Sequence, residues 1–184
     1  MNNAKIKSWM VTATAMAAAA MLTLSGCGSG AESKADADEA TFTAAGLLPL
    51  TGSMAYLGPA NIATMKLAQN DINAAGGVLG KDIDIVSADT SDADHADQNT
   101  SSAQSVLARE PSVVVGPPSS SVVKNTFKQV TSSQVPMISS GATSTAFSGL
   151  NDYFFRTIPP DTVQGVVLGQ IIVQDGVKNL PIAG

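Results

Sequence analysis

Short apolar segments alternate with longer amphipathic segments along most of the chain, from Thr41 onwards. The apolar segments predict strands at Phe42–Leu50, Ile83–Asp89, Val113–Gly116, Val135–Ile138 and Tyr153–Arg156. Helical spacing of the apolar residues between them predicts helices from Pro59 to the Gly76-Gly77 pair, through Val106 and Leu107, from about Ser120, and over Asp161–Asp175. Strands joined by helices of this length run parallel with right-handed crossovers. The pattern therefore predicts an α/β fold with a doubly wound, mainly parallel sheet.

Small and hydroxylated residues follow the third and fourth predicted strands. Gly116–Ser121 has the sequence Gly-Pro-Pro-Ser-Ser-Ser, and Ser139–Ser144 has the sequence Ser-Ser-Gly-Ala-Thr-Ser. Open parallel sheets bind ligands beyond the carboxyl ends of their strands, so both loops belong to the expected binding edge. Hydroxyl and N–H donors beside a helix N-terminus suit an anion such as a carboxylate. Ser and Thr at helix starts are also ordinary N-caps, and composition alone leaves both interpretations open.

The first 40 residues have the pattern of an export signal followed by a tether. Lys5 and Lys7 precede the uncharged run Trp9–Leu24, which is typical of a secretory signal. The run ends in Leu-Ser-Gly-Cys, which resembles the lipobox of bacterial lipoproteins and implies lipidation of Cys27 after removal of residues 1–26. Residues 27–40 are predicted to form a flexible tether, because they are rich in Gly, Ser, Ala and acidic residues. The alternative is an uncleaved membrane helix with an incidental cysteine.

Charge and cysteine content exclude several classes of partner and cofactor. The 10 Lys and Arg against 15 Asp and Glu give a net charge of -5, so nucleic acid is not an expected partner. The single Cys excludes an internal disulfide and a Cys-rich metal site. No cofactor is expected. No Gly-x-Gly-x-x-Gly follows the first strand, which disfavours an enzyme on a Rossmann-like sheet.

Acidic residues cluster after the second predicted strand, at Asp89, Asp92, Asp94, His95 and Asp97. The cluster lacks the Gly and the terminal Glu of a calcium loop, so we interpret it as a solvated loop and helix N-terminus and expect no metal. His95 is the only histidine and no Gly-x-Ser-x-Gly turn is present, so no catalytic set is predicted. An enzyme on a Rossmann-like sheet is the disfavoured alternative.

Several motifs together resemble the leucine, isoleucine and valine-binding protein family, the type I periplasmic binding proteins. They are Pro49–Gly52, the run Asp71–Gly80 (Asp-Ile-Asn-Ala-Ala-Gly-Gly-Val-Leu-Gly), Gly116–Ser121, Gly141–Thr143 and Phe155–Thr157. The resemblance covers the chain from Thr41 to its end. It implies the substrate-binding lipoprotein of an ABC importer, lipid-anchored at the outer face of the cytoplasmic membrane, with an ABC permease as its partner.

The resemblance also implies a ligand and the residues that bind it. The ligand is a branched-chain or other small amino acid, or a related amide, held by its α-carboxylate. Carried over by position, the carboxylate ligands are Ser120 (or Ser121), Thr143, and the backbone of Gly141 and Ala142. Leu57 stands where the family has an aromatic residue against the ligand side chain, and Tyr56 precedes it.

In this family two lobes close on the ligand. The resemblance assigns residues 41–157 to an incomplete first lobe and residues 158–184 to the hinge and the start of the second, with a further strand at Leu180–Ala183. We therefore expect a polypeptide of these 184 residues to bind its ligand only weakly. Alternatives are a sensor domain of the same fold and a non-functional fragment or interrupted reading frame.

Overall fold

The computed structural model describes residues 42–150 and 153–179. Its strands are β1 (Thr43–Leu48), β2 (Asp84–Asp89), β3 (Val113–Val115), β4 (Met137–Ser139) and β5 (Phe154–Arg156), and its helices are α1 (Gly58–Ala74), α2 (Ala96–Leu107), α3 (Ser120–Ser132) and α4 (Asp161–Gln174). Short 3-10 turns lie at Ala55–Leu57 and Thr145–Phe147. The predicted signal peptide, Cys27, the tether and the predicted strand Leu180–Ala183 lie outside the described residues.

The strands form one parallel sheet in the order β2-β1-β3-β4-β5. This confirms the predicted fold class and element types, although each strand is shorter than predicted. The pairing sets the limits: β1 pairs with β2 only from Thr43 opposite Asp84 to Leu48 opposite Asp89. From β1 the chain passes first to β2 on one side and then to β3 on the other, so the topological switch point lies between β1 and β3. The loops after β1 and β3 flank this switch point.

Side chains of β1 alternate between two cores, because successive residues of a strand point to opposite faces. Ala45 and Leu47 pack with residues of α2 and α3, whereas Ala44 and Leu48 pack with Met65 of α1. A strand covered on both faces accounts for the continuous apolar run of its sequence. The helices therefore cover both sides of the sheet and leave its carboxyl edge to the loops.

Helix α1 ends where glycine permits a conformation that other residues rarely adopt. Gly76 and Gly77 have φ angles of +100° and +72°. The N–H of Gly77 donates to the Ile72 carbonyl at 2.9 Å, which satisfies a helix-end acceptor. A Cβ on Gly77 would lie 1.8 Å from the Lys81 carbonyl oxygen. The predicted end of this helix is thus confirmed, with its physical cause.

Helix α4 follows β5 and is exposed along almost its whole length. Its apolar residues Val166, Leu168 and Val173 are 62%, 55% and 77% exposed. No helix in the described part of the chain combines the length and hydropathy needed to cross a membrane.

Candidate functional site

One buried hydroxyl joins the loops after β3 and β4. Ser139 is fully buried, and its Oγ donates to the Pro117 carbonyl at 2.5 Å. The same Oγ accepts the N–H groups of Gly141 at 3.4 Å and Ala142 at 3.1 Å. A Cβ on Gly141 would lie 2.2 Å from the Pro118 carbonyl oxygen, so glycine is required for this close approach. The two loops that the sequence placed at one edge therefore pack directly on each other.

A second hydrogen bond joins these loops at the start of α3. The Oγ of Ser120 accepts the backbone N–H of Ser144 at 3.2 Å. Ser119, the N-cap of α3, makes no side-chain capping bond, whereas Ser144 caps the following 3-10 turn by accepting the N–H of Ala146 at 3.3 Å. The N-cap interpretation thus holds for Ser144 and fails for Ser119.

Thr143 offers donors that no described residue uses. Its carbonyl accepts the N–H of Asp161 at 2.9 Å, but neither its own N–H nor its hydroxyl bonds to any residue in 42–150 or 153–179. The N–H groups of Gly141 and Ala142, which the resemblance assigned to the ligand, instead donate to Ser139. Thr143 is therefore a half-buried residue of this loop whose donors remain available to an external acceptor.

The predicted binding residues border different depressions. Thr143 lines a cavity of about 480 Å³ together with Ile158, Pro159 and the apolar side of α4. Ser120 and Ser121 line a depression of about 410 Å³ that also includes Lys124. The structure brings Ser120 and Ser144 into contact, while Ser121 lies exposed on the outer side of α3.

The first loop, which contains Tyr56 and Leu57, lies after β1. Tyr56 is 76% exposed and Leu57 is half-buried. Within the described part of the chain, no hydrogen bond or ring contact joins either side chain to the loops after β3 and β4. Their role at the ligand stays a prediction.

The carboxylate of Asp89 holds the beginning of this first loop. Its Oδ1 accepts the N–H groups of Leu50 at 2.8 Å and Thr51 at 3.1 Å, and its Oδ2 accepts the Thr51 hydroxyl at 2.6 Å. Burial acts to raise the pKa of Asp89, but bonds from Thr51, Ser91 and Leu50 outweigh it and hold the pKa below its ordinary value. Asp89 is thus ionised and fixed in place beside β1.

Asp92 binds the next part of the same loop. Its Oδ2 accepts the N–H of Ser53 at 2.7 Å, and its Oδ1 lies 2.7 Å from Nδ1 of His95. The Ser53 N–H, and then His95, hold the pKa of Asp92 well below its ordinary range. In return, the hydrogen bond and the charge of Asp92 raise the pKa of His95.

The interpretation of this acidic segment as a solvated loop is wrong for its first part. Thr90, Ser91 and Asp92 are buried, because their polar groups bind the first loop and helix α2. Asp94, His95 and Asp97 are exposed, as predicted. Sequence reasoning missed the role of Asp89 and Asp92, although Asp89 ends a strand at the binding edge and Asp92 lies three residues further on, which was a usable signal. No group of side chains suited to a metal ion occurs in the described ranges.

Arg156, at the end of β5, is a further residue that sequence reasoning did not single out for the site. Its Nη1 donates to the carbonyls of Ala142 at 3.2 Å and Ser144 at 2.9 Å, and its Nη2 donates to the Ser148 hydroxyl at 2.5 Å. The loop that contains Thr143 is therefore held from the β5 side as well as from Ser120.

Comparisons with known proteins found a matching family model and several solved structures with a similar fold. A family model described as a periplasmic binding protein matches residues 41–183. The branched-chain amino acid transporter substrate binding protein LivJ from Streptococcus pneumoniae, solved with isoleucine, is 29% identical, with a TM-score of 0.66 over 72% of this chain and 38% of that one. A putative branched-chain amino acid ABC transporter from Rhodospirillum rubrum is 28% identical, with a TM-score of 0.63 over 74% of this chain and 39% of that one.

A third solved structure shares the fold at lower identity. The solute binding protein of an ABC transporter from Rhodopseudomonas palustris, in complex with 3,4-dihydroxy benzoic acid, is 23% identical, with a TM-score of 0.67 over 76% of this chain and 38% of that one. The chain thus spans less than two fifths of the length of these solved relatives. Comparison with curated proteins gave no match.

Proposed function

The chain belongs to the periplasmic binding protein family, and from that premise we propose that it provides the first lobe of a solute-binding protein of an ABC importer. The proposed ligand is a branched-chain or other small amino acid, or a related amide, bound through its α-carboxylate. This function is binding and delivery rather than catalysis. The proposed partner in delivery is an ABC permease.

The observation that supports the ligand class most directly is the pair of free donors on Thr143. An N–H and a hydroxyl that no described residue binds, half-buried beside a hydroxylated loop, suit an anionic acceptor better than an apolar one. Ser120, in the first turn of α3, lies across the same junction through its bond to Ser144. The positive end of the α3 dipole adds to the preference for an anion.

Solved relatives support an amino acid as the ligand. The Streptococcus pneumoniae protein was solved with isoleucine, which carries an α-carboxylate. Leu57 and the exposed Tyr56 are the proposed contacts for the ligand side chain, from the loop that Asp89 and Asp92 hold beside β1.

The domain limits are part of the proposal. We assign residues 1–26 to a lipoprotein signal peptide, 27–40 to a tether anchored by a lipid on Cys27, 41–157 to the first lobe, and 158–184 to the hinge and the start of the second lobe. The exposed apolar residues of α4 support the last assignment, because such a surface is suited to further packing. The proposed location is the outer face of the cytoplasmic membrane.

Calorimetric titration of a polypeptide that contains both lobes tests this function. Leucine, isoleucine, valine and small amides are the ligands to compare with a sugar. The Thr143→Val variant is expected to lose roughly 1 to 3 kcal/mol of binding free energy, because a charged acceptor in a closed cleft loses one hydrogen bond. Thr145→Val is the matched control, since Thr145 is exposed on the adjacent 3-10 turn. Binding of sugars alone, or equal affinities for the two variants, would contradict the proposal.

A further inference from the structure

We propose that Arg156 is a positioning residue for ligand binding: it fixes the peptide between Ala142 and Thr143 and thereby keeps the Thr143 N–H available to a carboxylate. The inference rests on the proposed function, but its structural part can be tested without a ligand. Arg156 does not itself contact the ligand in this proposal. It acts through the main chain of the loop after β4.

The contacts of successive peptides in this loop lead to the assignment. The N–H of Ala142 donates to Ser139, which fixes the peptide before Ala142. The peptide between Thr143 and Ser144 is held at both ends, because its carbonyl accepts from Asp161 and its N–H donates to Ser120. The peptide between them, from Ala142 to Thr143, has one described partner, and that partner is Arg156.

The geometry of the peptide between Ala142 and Thr143 determines the direction in which the Thr143 N–H points. In a trans peptide the C=O and N–H groups point to opposite sides. The Ala142 carbonyl points to the guanidinium of Arg156 at 3.2 Å, so the Thr143 N–H points away from it. The second bond from Nη1, to the Ser144 carbonyl at 2.9 Å, fixes the chain on the other side of Thr143. Arg156 thus binds the carbonyls of the residues on both sides of Thr143.

The charge of Arg156 also favours the binding of an anion near Thr143. Arginine is always protonated in proteins, and within the described residues the only pair of opposite charges in contact is Asp92 with His95. The guanidinium is half-buried and bonds to carbonyl and hydroxyl oxygens instead of a carboxylate. A positive charge that no described carboxylate contacts favours an anion at the available donors of this loop.

Amide hydrogen exchange of the chain, followed by NMR, tests the structural part. In Arg156→Gln, the amides of Ala142, Ser144 and Asp161 are expected to exchange about tenfold faster or more, since bonds from a charged donor contribute on that scale. The amide of Val114, bonded to the Pro136 carbonyl in the sheet, is expected to keep its rate. Arg109→Gln removes the same charge from an exposed position and is the control.

Two further variants keep the test informative if Arg156→Gln does not fold. Arg156→Lys retains the charge without the planar fork and is expected to give intermediate exchange. Ser148→Ala removes one partner of the guanidinium and is expected to accelerate exchange at Ser144 slightly. The proposal would be overturned if the loop amides exchanged at the same rates in Arg156→Lys and Arg156→Gln as in Arg109→Gln. It would also be overturned if the Val114 amide accelerated as much as the loop amides.

Titration of a polypeptide that contains both lobes with millimolar leucine, observed at the Thr143 amide, tests the functional part. The wild type and Arg109→Gln are expected to show a shift of this resonance, and Arg156→Gln is expected to lose most of it. Equal shifts in all three proteins would overturn the role of Arg156. If leucine moves no resonance in the wild type, the proposed function fails. The exchange rates alone then support or overturn the claim that Arg156 fixes the loop after β4.

Discussion

The Nδ1 atom of His95 lies 2.7 Å from Oδ1 of Asp92, whose other oxygen accepts the N–H of Ser53. This pair connects the start of α2 to the loop after β1. Because Asp92 favours the charged form of His95, and His95 favours the charged form of Asp92, the contact is strongest where both groups are ionised. The first loop is thus tied to a pair of titrating groups.

The first prediction is a stability that falls on both sides of a window between about pH 4 and pH 6.5. The pKa of Asp92 is lowered on folding, so its contribution is present above its ordinary value of 3.8 and is lost as the pH falls towards the lowered pKa. The pKa of His95 is raised, so its contribution is present below its ordinary value of 6.5 and is lost as the pH rises through the raised pKa. Urea midpoints measured across this range check the prediction.

The variant His95→Gln separates the decrease in stability at acid pH (the acid limb) from the decrease at alkaline pH (the alkaline limb). Since His95 is the only histidine of the chain, its removal is expected to flatten the decrease above pH 6.5 while the acid limb remains. Asp97→Asn, at an exposed acid in the first turn of α2, is the control and is expected to keep both limbs. An unchanged alkaline decrease in His95→Gln would show that the pair with Asp92 does not produce it.

The second prediction concerns the hold of Asp89 on the first loop. Asp89→Ala is expected to lower the free energy of unfolding by about 1 to 3 kcal/mol, because the N–H groups of Leu50 and Thr51 lose their acceptor. Urea unfolding followed by circular dichroism measures the change. Asp82→Ala, at an exposed position just before β2, is expected to change stability little, and equal losses in the two variants would contradict the role of Asp89.

The third prediction concerns the contact between the two hydroxylated loops. Gly141→Ala is expected to destabilise the protein by about 1 to 3 kcal/mol, because the new Cβ would lie 2.2 Å from the rigid Pro118 carbonyl. Gly165→Ala in α4 has open space around its Cβ and is expected to stabilise that helix by about 0.5 to 1 kcal/mol. Thermal unfolding of the two variants should therefore shift in opposite directions.

The fourth prediction concerns membrane attachment. Labelled fatty acid is expected to enter the wild type and not Cys27→Ser, because the acyl chains would be linked to the cysteine sulfur. Intact mass should show Cys27 as the mature N-terminus. A mass that begins at Met1 and includes no lipid would contradict the assignment.

Periodicity was sufficient to predict the fold because each signal is local. The apolar run of β1 follows from burial on both faces, and the predicted end of α1 follows from Gly76 and Gly77, which adopt positive φ angles. Strand limits could not be predicted as well, since they depend on where neighbouring strands pair, as for Leu48 opposite Asp89.

Details of the site were harder to predict because they depend on residues far apart in sequence. Arg156 reaches Ala142 only because β5 pairs with β4 in the register that sets Arg156 opposite Ser139. The acids from the end of β2 onwards have a composition typical of a solvated loop, yet Asp89 binds residues that lie 38 and 39 positions away. Likewise, no sequence pattern indicated that Ser139 takes the N–H groups of Gly141 and Ala142.

The hydrogen bond from Asp161 to the Thr143 carbonyl makes Thr143 an anchor for the connection that leaves the sheet. A shift of the Thr143 main chain is transmitted to the first turn of α4 without the involvement of any side chain. Substitutions that change only a side chain, including Thr143→Val, would therefore leave this main-chain hydrogen bond intact. Asp161→Pro would cut it selectively, since proline lacks the N–H but is tolerated at the first position of a helix. The position of the loop that contains Thr143 and the direction of the departing chain are thus coupled through a single main-chain hydrogen bond.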